Sequence, residues 1–134
     1  MQLTHTSSYA AQALDYLGSQ PRAKPVAAHL VARARGVPAP YIRQVLMPLV
    51  GARILGSLRG PNGGYWLAKP AKQITLLEIV EAVDGPIRGE ATPVGQGEAA
   101  AAFDKRLQVV CDIAAALVRR RLAQVTLAEL ARAK

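Results

Sequence analysis

VPAPYIRQVLMPLVGARILGSLRGPNGGYWLA, residues 37–68, is the stretch on which the fold turns. Its first half reads as a short helix over residues 40–50. Ile42, Val45, Leu46 and Leu49 recur at three- and four-residue spacing and so share one face, leaving Tyr41, Arg43 and Gln44 on others. Pro40 suits a first helical turn, where its missing N–H has no intrahelical partner to lose. Pro48 is expected to distort or shorten the last turn, and Gly51 to stop it. The second half reads as a β-hairpin. Two apolar runs, Ile54–Leu58 and Tyr65–Ala68, flank Gly60-Pro61-Asn62-Gly63-Gly64, where Gly and Asn tolerate positive φ and Pro presets φ. Arg59 stands at the turn's entrance.

A helix followed at once by a basic-tipped hairpin is the arrangement of a recognition helix and wing in a winged helix-turn-helix. Such a helix fits the major groove of DNA, and an arginine at a hairpin tip fits a narrow minor groove. Upstream, Lys24-Pro25 opens an expected helix from Val26 to about Ala34, with Ala27, Leu30 and Val31 inward and Arg33 and Arg35 near its C-terminal end. Gly36 turns the chain into the recognition helix. Before these, Thr6 or Ser7 is expected to cap a first helix running to about Ser19, with Tyr9, Ala10, Ala13, Leu14 and Leu17 as its inner stripe.

The blocks MQLTHTSSYAAQAL, PAPYIRQVLMPLVGARIL, RGPNGGYWLAKP, ITLLEIVEAVDG and VTLAEL, taken in order, resemble the Rrf2 family of bacterial transcription regulators over nearly the whole chain. The resemblance implies a sequence-specific, double-stranded DNA-binding regulator, a homodimeric repressor in the usual case, working in the cytoplasm. The positions that match the family's DNA-contacting elements are Tyr41, Arg43 and Gln44 on the helix and Arg59, Asn62 and Gly63 in the wing. The family often has Glu where this chain has Arg43; an arginine favours guanine or a phosphate, whereas Glu accepts from cytosine. Arg22, Lys24, Arg35 and Arg53 are read as phosphate contacts, which position a protein without specifying a sequence.

The charge distribution agrees with this reading. The net charge is +8, and no acidic residue lies between Asp15 and Glu78. A single-sign half is the electrostatic footprint of a polyanion partner, whereas a membrane surface would call for a basic amphipathic helix that this half lacks. With 134 residues and no long apolar run, the chain suits one domain with a modest core and no membrane span. One cysteine makes no intramolecular disulfide. No nucleophile–base set, phosphate loop or pair of carboxylates suggests an enzyme. The alternative class is a protein-interaction module on a winged-helix scaffold with residual DNA affinity.

After the wing, Thr75 and Glu78 form a capping box ahead of a helix ending at Asp84, where Gly85-Pro86 stop it. Residues 85–98 read as an exposed loop of the sensor type. Residues 99–123 form the longest helical pattern. There Phe103, Leu107, Val110, Ala114 and Leu117, spaced by four and three, make a heptad seam expected to pair with a second copy. Thr126 caps a last short helix, Leu127–Ala133. The expected organisation is therefore mainly α with a small β-hairpin: a winged helix-turn-helix over 1–84, the loop 85–98, a dimerisation helix 99–124 and a short helix in 125–134.

Many members of the family carry three cysteines in the loop before the long helix and hold an iron–sulfur cluster there. This loop has none, so no cofactor and no metal are expected. A cluster held by Cys111 with His5 or His29 is the alternative that the family's one-cysteine variants leave open. Cys111 itself reads either as a small buried residue of the long helix or as a redox switch. The signal is thus an unidentified redox, small-molecule or protein effector.

Overall fold

Thr4, rather than Thr6 or Ser7, caps the first helix. Its hydroxyl accepts from the Ser7 N–H at 3.0 Å, and α1 runs His5–Gly18. Ser7 is instead buried, and it donates to Asp84 Oδ2 at 2.6 Å. Thr4 donates to the same carboxylate. The start of α1 is thereby tied to the end of α4 (Leu76–Asp84). The computed structural model describes residues 1–21 and 24–132.

The second helix, α2, spans Ala28–Arg35 and starts later than its apolar pattern suggested. Val26 has another use: it exchanges both backbone hydrogen bonds with Tyr65, each 2.9 Å long, as a short third rung on the hairpin. Displaced by two residues, α2 buries Val31 and Ala32 and leaves Leu30 exposed. Gly36 closes it at φ 67°.

A single 3-10 turn over Ala39–Tyr41, with Pro40 inside it, leads into α3, Ile42–Gly51. The helix continues through Pro48 without shortening. Gly51 is not its stop. The Ile54 N–H reaches Leu49 O and the Arg53 N–H reaches Val50 O, both at 3.0 Å, which makes a Schellman cap. The left-handed residue of that cap is Arg53, at φ 63°. Strands β1 (Leu55–Leu58) and β2 (Gly64–Leu67) then pair antiparallel, with Gly56 opposite Trp66 and Leu58 opposite Gly64.

α4 starts on the expected capping box. Thr75 Oγ1 accepts from the Glu78 N–H, and the Glu78 carboxylate accepts from the Thr75 N–H. Burial alone would push the Glu78 carboxyl up. The hydrogen bond from Lys69, the Thr75 N–H, the Lys69 charge and the Thr75 hydroxyl together outweigh it and hold the group below its ordinary value. Ile42, Val45, Leu46 and Leu49 of α3 meet Ala10, Leu14 and Leu17 of α1 and Ile79 of α4 in one core. Leu127 enters this core from α6, Leu127–Arg132. Backbone bonds Leu76 N–H to Val125 O and Leu127 N–H to Ile74 O hold it there. Residues 133–134, in the expected last helix, lie outside the described residues.

Between these elements stands α5, Glu98–Ala123, whose one buried residue is Leu122. Phe103, Leu107, Val110, Ala114 and Leu117 are all exposed, as are Val109 and Ile113 beside them. Among the described residues no helix is long and apolar enough to cross a membrane.

Candidate nucleic-acid interface

α2, its left-handed Gly36 and α3 form a helix-turn-helix, and the hairpin stands beside α3 as a wing. Because α3 commits Ile42, Val45, Leu46 and Leu49 to the core, the opposite face carries Arg43, Gln44 and Met47 outward. The hairpin turn is closed by the Gly63 N–H bonding Gly60 O at 3.0 Å. Between helix and wing runs a groove of about 600 Å³. Arg43 and Met47 line it from α3, and Leu58, Arg59 and Gly60 from the wing. Two arginines therefore share one open concavity, and neither has an ion-pair partner among the described residues.

The other expected contacts sort themselves by geometry. Tyr41 is partly exposed at the head of α3, its ring 6.3 Å from that of Tyr9. Gln44, Arg53, Asn62 and Lys24 are exposed. Gly63 belongs to the turn, since a Cβ there would sit 2.0 Å from Leu58 O. Arg35 is occupied: it pairs with Asp15 Oδ2 at 2.8 Å and donates to Gln12 Oε1 at 2.7 Å, which binds α2 to α1. Arg22 lies outside the described residues. The structure adds Met47 and Leu58 to the groove. Met47's place four residues after Arg43 was the available signal, because residues so spaced share a helix face.

The loop is exposed over residues 92–97, as expected, while its first part, residues 85–91, lies along α5. Gln108 clamps it, accepting from the Ala91 N–H at 3.0 Å and donating to Gly89 O at 2.7 Å. Glu81 accepts from the Ile87 N–H and pairs with Arg119. Beneath the loop is a cavity of about 440 Å³, bordered by Leu3, Val80, Ile87, Ala115, Val118 and the half-buried Cys111.

Residues 3–133 match the Rrf2 family profile, described as an iron-dependent transcriptional regulator. A Synechocystis protein described as an HTH-type transcriptional regulator, slr0846, is 37% identical over 84 residues, 63% of this chain and 57% of that protein. The regulator IscR of Cereibacter sphaeroides is 37% identical over 65 residues, 48% of this chain and 42% of IscR. The chain thus spans about three fifths or less of the length of these curated relatives. Among solved structures, the Bacillus subtilis global cysteine regulator CymR superposes with a TM-score of 0.71 at 24% identity, covering 98% of this chain and 96% of CymR. That likeness shows the winged-helix fold.

The iron in the family's description raises the question of fit. A cluster needs several soft thiolates at one place. This chain has the single Cys111, on α5, while His5 and His29 are exposed on α1 and α2. Among the described residues no three His, Cys, Asp or Glu side chains come together. These donors do not fit a cluster of the family's usual kind.

Proposed function

The chain belongs to the Rrf2 family of transcriptional regulators, and we propose from that premise that it is a homodimeric repressor that reads double-stranded DNA without a resident cluster. The observation that carries this reading is the groove between α3 and the wing, with Arg43 and Arg59 unpaired on its walls. Arg43 on α3 suits base edges or phosphate in the major groove. Arg59 at the wing suits the negative potential of a narrow minor groove. The stretch from residue 16 to 77, which carries the helix-turn-helix and the wing, holds no carboxylate side chain to repel phosphate.

The exposed seam of α5 supports the dimer. Phe103, Val110 and Leu117 are more than half exposed in one chain, and an apolar stripe of that length is covered when two copies pair. A dimer would read two half-sites related by two-fold symmetry, separated by whole helical turns of about 34–36 Å. The loop over Cys111 is where a redox, small-molecule or protein signal would act on it, in the cytoplasm.

Selection from a random duplex pool at near-physiological salt tests the reading. A two-fold motif should be enriched, and log K for it should fall linearly and steeply with log salt. An unenriched pool with shallow salt dependence would overturn it in favour of a protein-interaction module. Repression is checked by transcription in vitro from a promoter carrying the motif, which the protein should lower.

A further inference from the structure

Met47 is an apolar side chain held in the open on a basic face. The apolar positions of α3 that serve the core, Ile42, Val45, Leu46 and Leu49, are each no more than 6% exposed, whereas Met47 is 53% exposed. It is not a residue of the α5 seam, nor does it pack on the core cluster. It lies four positions after Arg43, on the same side of the helix, and lines the same groove. Across that groove Leu58 of β1, also more than half exposed, makes a second apolar point beside Arg59. The groove therefore combines guanidinium groups with a small apolar spot.

We infer that Met47 is a base-reading residue that contacts the C5-methyl of a thymine close to the guanine bound by Arg43. This rests on the DNA-binding reading above. In the major groove the thymine methyl is the one apolar feature among the base edges, while guanine offers the O6 and N7 acceptors that an arginine takes in pairs. Four residues of helix advance about 6 Å. Bases on one strand are about 3.4 Å apart. A thymine within roughly two base pairs of the Arg43 guanine is thus the position Met47 reaches. The unbranched thioether, with its rotatable bonds, adapts to a methyl whose exact place depends on local DNA geometry.

The test removes the methyl and nothing else. The duplex enriched by the wild-type protein is remade with deoxyuridine in place of each thymine in turn, and affinities are compared by fluorescence anisotropy. Wild type should lose about fourfold per half-site at one thymine position, the worth of roughly one buried carbon. Met47→Ala should bind the thymine duplex more weakly and bind the thymine and uracil forms equally at that position. Met47→Leu, which restores an apolar side chain, should recover the discrimination. Arg43→Ala should relax the preference for guanine one or two positions away. Equal wild-type affinity for every uracil duplex, or undiminished discrimination by Met47→Ala, would overturn the inference while leaving DNA binding intact. Failure of the wild type to enrich any motif would overturn the DNA reading and this inference with it. Met47 is exposed, so circular dichroism of the variants should match wild type and separate reading from folding.

Discussion

α3 and α5 carry apolar residues at the same alternating three- and four-residue spacing, and they come to opposite ends. In α3 the stripe Ile42, Val45, Leu46 and Leu49 is sealed among α1, α4 and α6, while the polar face looks outward. In α5 the stripe Phe103, Leu107, Val110 and Leu117 is itself the outward face. Periodicity says which residues share a side of a helix; it does not say whether the covering surface belongs to the same chain. The head closes upon itself and turns its charge outward. The long helix leaves its hydrophobic surface exposed in the single chain.

The comparison breaks most readily at its core. Leu46→Ala or Leu49→Ala opens a cavity where exposure is 0% and should cost about 2–5 kcal/mol in urea unfolding. Leu117→Ala, measured in dilute protein where copies separate, should change stability by about 0.5 kcal/mol or less. Equal losses at the two places would mean that α5 is buried by its own chain.

Association is the next lever. Leu107→Asp puts a charge in the middle of the seam and should leave a monomer in sedimentation at concentrations where wild type is a dimer. The wild-type melting temperature should rise with protein concentration and that of the variant should not. A wild type that sediments as a monomer throughout would remove the seam from the mechanism.

Within the head, the arginines divide by whether they have partners. Arg59→Ala should weaken specific DNA binding by about 1–3 kcal/mol and leave stability unchanged. Arg35→Ala should do the reverse, since Arg35 is already engaged by Asp15 and Gln12. Arg53 is the informative intermediate. It is an exposed cation in the left-handed seat of the α3 cap, where a glycine is free of steric cost and another residue loses about 1–2 kcal/mol. Arg53→Gly should therefore raise stability by about 1 kcal/mol and reduce the salt slope of DNA binding by about one. A variant that is neither more stable nor less salt-sensitive would show Arg53 to be neither strained nor near phosphate.

The winged helix was legible because its signals are local. The Gly-Pro-Asn-Gly-Gly insert admits only a turn, and Thr75 with Glu78 defines a helix start within four residues. What escaped depended on distant partners. Val26 looks like helix until Tyr65 arrives to pair with it, and Ser7 looks like a cap until Asp84 takes its hydroxyl. Arg35 cannot be told from a phosphate contact without knowing that Asp15 lies 2.8 Å away. Gly51 was the natural helix stop by residue type, yet the backbone places the left-handed position on Arg53. On the candidate site, Arg43 and Arg59 could be named from sequence. That they share a groove with Met47 and Leu58 required the hairpin's placement against α3.

The smallest expected effect concerns the joint between wing and α4. Lys69, just past β2, and Glu78, at the third position of α4, form an ion pair that also closes the Thr75 capping box. The Glu78 carboxyl is held below its ordinary value of 4.5 because donors from Lys69 and Thr75 outweigh the cost of its partial burial. A depressed carboxyl stabilises the fold when ionised in both states. Its contribution is thus fully present above pH 4.5 and is lost as pH falls below 4.5 through the folded-state value. Glu78→Gln keeps a side chain able to complete the box but has no charge to titrate. Its unfolding free energy should lie slightly below that of wild type at neutral pH, and the two should converge as pH drops under 4.5. The Lys69 and Glu78 side chains are 32% and 38% exposed, so solvent screens the pair and the gap at neutral pH should be small and shrink with added salt. Parallel curves across the acid range would mean that the Lys69 charge plays no part in fixing the wing to α4. The wing's position beside α3, and with it the arginine groove, would then rest on backbone pairing and the apolar core alone.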